Sequence, residues 1–189
     1  MGEKKIRVGF DFDGVIAYNP FRIFRYPTTL IKKYFKHESS TKFYYPKTKI
    51  EQLIWILIHE TSFFPAVGID DLHKLIHQEN IEAYIITSRY ACLENTFFRW
   101  LKRHKLDKGF KGYYLNKKNE QPHIFKERMI KELSIDYFID DNLDIVEHLN
   151  RQLKVEIHWI YNIVDRFHPY SQKHPHLLSF IKYIESRIK

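Results

Sequence analysis

The sequence predicts an α/β protein: a three-layer, Rossmann-like parallel sheet with a small helical cap inserted after the first strand. Three observations lead there. Short apolar runs alternate along the chain with amphipathic segments, most of those runs end in polar and often acidic residues, and a single aromatic-rich stretch interrupts the alternation.

The apolar runs are Ile6–Phe12, Ala83–Thr87, Tyr113–Leu115, Tyr137–Ile139 and Val155–Tyr161, all rich in β-branched and aromatic residues. Between them lie "GIDDLHKLIHQEN", "ENTFFRWLKRH", "FKERMIKELS" and "LDIVEHLNRQ", whose apolar residues recur at helical spacing. Strands joined by helices of this length form crossovers, so the sheet is parallel and covered on both faces. The interrupting stretch, 18–66, holds Pro20, Pro27 and Pro46, many aromatics and the helical run "IEQLIWILIHE". The expected organisation is a core of residues 1–17 and 67–189, with 18–66 as the cap.

With 189 residues, 44% of them hydrophobic, the chain is long enough for one sizeable core and too short for two full domains. The strongest apolar run, "LIWILI", is far below a membrane span, and "MGEKKIRVGF" lacks the apolar stretch of a signal peptide. No membrane partner and a cytoplasmic location are therefore expected. Cys92 is the lone cysteine, which excludes a disulfide framework and a thiolate metal site. The net charge of +8 is compatible with phosphorylated small molecules, with nucleic acid, or with a merely solvated basic surface. Oligomeric state is not legible.

Ligands of open α/β sheets sit beyond the carboxyl ends of the strands. There the sequence places Asp11 and Asp13 after the first run, Thr87, Ser88 and Arg89 after the second, and Asp140, Asp141 and Asn142 after the fourth. Carboxylates brought that close repel one another unless a cation sits among them. Oxygen donors of this kind suit a hard divalent ion, Mg²⁺ above all, which shares its shell readily with phosphate oxygens. A phosphoryl-transfer site follows.

"DFDGV" at 11–15, "IITSR" at 85–89, a lysine at 126 and "YFIDDN" at 137–142 resemble, in order, the four motifs of the haloacid dehalogenase (HAD) superfamily. That resemblance implies Asp11 as the nucleophile that becomes phosphorylated, and Asp13 as the acid and base, with its backbone carbonyl on the metal. It implies phosphate binding by Thr87 and Ser88, charge neutralisation by Lys126, and a Mg²⁺ site shared by Asp11, Asp13, Asp141 and Asp140. Lys131, little more than a turn beyond Lys126, is the competing lysine.

The resemblance implies a Mg²⁺-dependent phosphatase acting on a small phosphorylated substrate. The stretch from "SFFPAVG" to "IITSR" is similar to the 5'(3')-deoxyribonucleotidase branch, which points to a nucleoside 5'-monophosphate. Tyr18, Phe21, Phe24, Tyr26, Phe43, Tyr44 and Tyr45 of the cap are aromatic surfaces on which a base would stack, or which simply pack the cap. The alternatives are a nucleic-acid-binding or end-processing protein that uses the basic stretches, and a sugar-phosphate mutase, which shares "DFDGV". Two further features have ordinary explanations. His73 and His77, four residues apart, belong to a polar helix face, and "HPYSQKHPH" at 168–176 reads as a surface connection.

Overall fold

The computed structural model describes residues 5–18, 45–60, 64–78 and 80–188. Within them the chain forms β1 (Ile6–Phe10), β2 (Ala17–Tyr18), α1 (Lys49–Glu60), β3 (Phe64–Pro65), α2 (Ile69–His77), β4 (Ile81–Tyr90), α3 (Glu94–Arg103) and β5 (Gly112–Asn116). It continues through α4 (Pro122–Glu132), β6 (Tyr137–Asp140), α5 (Leu143–Gln152), β7 (Glu156–Ile160), β8 (Lys173–His174) and α6 (Leu177–Arg187).

Six strands make one parallel sheet in the order β5-β4-β1-β6-β7-β8. The three layers are visible in the core. On one face Phe10, Phe12 and Ile85 pack with Leu72 and Leu75 of α2, Phe97 and Leu101 of α3, and Phe180 and Ile184 of α6. On the other, Ile86, Phe138 and Trp159 pack with Phe125 and Met129 of α4 and Val146 and Leu149 of α5. Apolar side chains on both faces explain why the central strands read as continuous apolar runs rather than alternating ones.

The expected strands are all present, and the structure adds one. Lys173 and His174, inside the histidine-rich segment expected to be a surface connection, pair with Trp159 and Ile160 as the edge strand β8. His174 is buried there, and its Nε2 lies 3.0 Å from Nδ1 of the fully buried His158. His176 accepts from the Ser179 N–H and so caps α6. A strand of two residues has no periodicity to betray it, which is why the sequence reading missed it.

Strands β2 and β3 form a separate antiparallel pair, Ala17 opposite Pro65 and Tyr18 opposite Phe64, reinforced by the Ala66 N–H donating to the Ile16 carbonyl. The chain thus leaves and re-enters the core at one point. Helix α1 lies in the excursion, its amino end near Tyr45, whose ring meets that of Tyr90 edge-on at 4.9 Å. Phe21, Phe24, Tyr26, Phe43 and Tyr44 fall outside the described residues.

Candidate active site

The first acidic pair owes its position to one turn. Beyond β1 the Asp11 N–H still donates to the Ile139 carbonyl of β6, at 2.9 Å, so Asp11 is held in the plane of the sheet. The Phe12 carbonyl then accepts from the Ile16 and Ala17 N–H groups at 3.0 and 2.9 Å. Closing so tight a turn puts Gly14 at φ 83°, a conformation that costs glycine nothing and most other residues a steric penalty. Phe12 points into the core, against Phe97 and Trp100, and this leaves Asp11 and Asp13 together at the end of the strand.

Lys126 reaches this point from α4. Its buried Nζ lies 2.6 Å from Asp140 Oδ2 and 3.1 Å from Asp11 Oδ2. Lys131, the competing lysine, is on the solvent side and pairs with Glu127. The phase of the helix separates them: Pro122, Phe125, Lys126, Met129 and Ile130 form its buried stripe. Burial pulls the Lys126 ammonium down, and the Asp11 and Asp140 carboxylates outweigh it, so the lysine stays charged with its pKa above the ordinary value.

Asp140 is fully buried with both oxygens engaged, Oδ2 by Lys126 and Oδ1 by the Asn142 N–H at 2.9 Å. Asn142, rather than either aspartate, caps α5 by accepting from the Asp144 and Ile145 N–H groups. Trp159 donates its indole N–H to the Asp141 carbonyl and so fixes the loop that carries Asp141. Carboxylate oxygens of Asp11, Asp140 and Asp141 lie within 4.8 Å of one another. Burial raises the Asp11 pKa well above the usual carboxylate range; Lys126 opposes the rise, and Asp140 and Asp141 add to it. One lysine does not balance this much negative charge. A group of hard oxygen donors with excess charge fits Mg²⁺, whose binding would relieve the repulsion.

Asp13 stands apart from that group. Arg89, almost fully buried, grips it with two hydrogen bonds, Nε to Oδ2 at 2.7 Å and Nη2 to Oδ1 at 2.8 Å. The guanidinium also lies over the Phe12 ring, 4.6 Å from its centroid. The sequence reading noted Arg89 at a strand end and gave it no role. Its partner is 76 residues away, beyond any local pattern. Thr87 is buried at the same strand end and accepts from the Arg89 N–H, while the Ser88 hydroxyl is buried with no hydrogen-bond partner among the described residues. The structure thus brings Asp11, Asp13, Thr87, Ser88, Lys126, Asp140 and Asp141 to the carboxyl ends of three adjacent strands, β4, β1 and β6. His73 and His77 are elsewhere, stacked on each other on α2.

Solved structures share this architecture. A haloacid dehalogenase-like hydrolase of Streptococcus pneumoniae matches with a TM-score of 0.56 and 15% identity, over 95% of this chain and 98% of its own. YfnB of Bacillus subtilis, a HAD hydrolase bound to magnesium, matches with a TM-score of 0.63 and 12% identity, over 96% and 100%. The fold is that of the HAD hydrolases. A chain of the Pnkp1/Rnl/Hen1 RNA repair complex also matches in fold, with a TM-score of 0.52 and 13% identity over 83% of this chain and 42% of its own. No family model and no curated protein matches the chain in sequence. No helix among the described residues is long and apolar enough to cross a membrane.

Proposed function

We propose that the protein is a Mg²⁺-dependent phosphatase that cleaves a small phosphomonoester through a phosphorylated Asp11. The observation that carries this reading is the contact of Asp11 with the buried Lys126, 3.1 Å away, beside the three-carboxylate cluster. A carboxylate so placed has a fixed positive charge next to the atoms where phosphoryl oxygens must come to rest.

In the first step an Asp11 oxygen attacks phosphorus while the bond from phosphorus to the leaving oxygen breaks, and that oxygen takes a proton from Asp13. In the second, Asp13 takes a proton from water as the water oxygen attacks phosphorus, releasing phosphate and restoring Asp11. Lys126 offsets charge on the phosphoryl oxygens, and Thr87 and Ser88 offer hydroxyls to the same oxygens. Because both Asp13 oxygens are held by Arg89, one of those hydrogen bonds must open and the freed oxygen must take up a proton before Asp13 can pass that proton to the leaving oxygen. Asp11, Asp140 and Asp141 would hold Mg²⁺, with the Asp13 backbone carbonyl completing the protein's share. The ion would supply Lewis-acid neutralisation of the phosphoryl charge.

Residues 18–66 serve as the cap. The β2–β3 pairing and the contact of Tyr45 with Tyr90, at the end of the strand that carries Thr87, support this. Among phosphomonoesters a nucleoside 5'-monophosphate is the preferred candidate. A second reading, trimming of a terminal phosphate from RNA or DNA, is favoured by the likeness to a chain of an RNA repair complex. The test is phosphate release, with and without Mg²⁺, from nucleoside monophosphates, sugar phosphates and phosphorylated oligonucleotides, with Asp11→Asn as the blank. Mg²⁺-dependent release that the blank lacks supports the phosphatase; equal release by Asp11→Asn overturns it.

A further inference from the structure

The charge of the chain is not spread evenly. Residues 99–111 hold six basic side chains, Arg99, Lys102, Arg103, Lys105, Lys108 and Lys111, against one acid, Asp107. They account for five of the eight net positive charges, and all six are exposed.

Their place in the fold is opposite to the acidic cluster. Helix α3 runs back along the sheet from the end of β4, so its last residues, Lys102 and Arg103, lie toward the strands' amino ends. The Lys111 N–H donates to the Ala83 carbonyl, four residues before Thr87 on β4. At the rise of an extended strand that is about 13 Å from the site end of the sheet. The acidic cluster thus lies beyond the carboxyl ends, and five cations, Lys102, Arg103, Lys105, Lys108 and Lys111, are grouped at the amino ends, where the nearby Glu82 is already paired with Arg7.

We infer that this amino-end face is a docking surface for the phosphodiester backbone of nucleic acid, which it holds without feeding it to the acidic site. A bilayer is a poorer partner. The apolar stripe of α3, Phe97, Trp100 and Leu101, is buried in the core, so beside its charge the helix has only the single ring of Phe98 to offer a membrane. Phosphodiester recognition needs no more than charge. The inference does not depend on the phosphatase reading.

The test is fluorescence anisotropy with a labelled 20-base-pair DNA duplex and a 20-nucleotide RNA strand, from 50 to 200 mM salt. Five phosphate contacts weaken duplex binding about five-hundredfold across that range. The variant Lys102→Gln/Arg103→Gln/Lys105→Gln/Lys108→Gln/Lys111→Gln is expected to lose at least about a hundredfold in affinity at 50 mM salt. A control, Arg151→Gln/Lys154→Gln/Lys182→Gln, removes charge from exposed positions beside β7 and on α6, β7 being three strands from β4 across the sheet, and stays within about threefold of wild type. Release of phosphate from a small substrate is the same in all three proteins, which separates this inference from the assignment of the acidic site. Absence of binding by the wild type at 50 mM salt, undiminished binding by the five-site variant, equal loss in the control, or tighter binding to phosphatidylserine vesicles would each overturn it.

Discussion

Arg89 and Asp13 form a two-point ion pair: both carboxylate oxygens are held, at 2.7 and 2.8 Å, by an arginine with hardly any solvent contact. Such a fork fixes a carboxylate in direction as well as in charge. Replacing Arg89 with Met is expected to lower kcat roughly a hundredfold, the scale of loss when a reacting group is misplaced by about 1 Å, with KM little changed. Arg89→Lys keeps the charge without the fork and is expected to fall between. Steady-state kinetics of the two variants check this, and an Arg89→Met variant with unchanged kcat would limit the role of Arg89 to packing.

Asp11→Asn is expected to end turnover while the protein stays folded. The buried carboxylate repels Asp140 and Asp141, so neutralising it should hold or raise the thermal midpoint. Phosphate release and a melting curve from one preparation decide the matter; loss of both activity and fold would leave Asp11 with only a structural role.

Lys126→Met strands Asp11 and Asp140 without their counter-charge. Breaking a buried pair from one side costs about 3–5 kcal/mol, measurable by urea unfolding. If the three carboxylates hold Mg²⁺, the ion should raise the melting temperature of this variant more than that of the wild type. No response to Mg²⁺ in either protein would remove the metal from the cluster.

The buried histidines give the fold an acid limit. Burial, and then its neighbour His174, lowers His158 to about 3; burial, and then His176, lowers His174 to about 4. Both are neutral in the folded chain and bind protons on unfolding once the pH drops below about 6.5. Their stabilisation is complete above that pH and declines as the pH falls, at up to about 1.4 kcal/mol per unit for each. Urea midpoints between pH 5 and 6.5 should therefore fall in the wild type and flatten in His158→Leu/His174→Leu. Parallel slopes would contradict the pair's role.

How much of this was legible depended on distance along the chain. The apolar runs announced β1, β4, β5, β6 and β7 because each carries its own pattern, and the acids at their ends converge because parallel strands align their carboxyl ends. Lys126 and Lys131 stay open alternatives in the sequence, and it is the folded helix that separates them, by the phase Lys126 shares with Phe125 and Met129. Arg89 could not be paired with Asp13, and His174 could not be joined to His158, because those contacts exist only once the sheet is assembled. Asn142 directly precedes the helical run that begins at Leu143, so its capping role is written in the sequence itself.

The antiparallel pairing of Tyr18 with Phe64 has a consequence for how such a chain can change. A segment whose two ends are already clasped adds little closure entropy as it grows, about 0.6 kcal/mol for each doubling of length. Strands β1 and β6, which carry the acids, take their ladder hydrogen bonds from each other and from β4 and β7. If the excursion is the cap proposed above, selectivity and chemistry are separately inheritable: the excursion can be rewritten for a new substrate while the carboxylates keep their places.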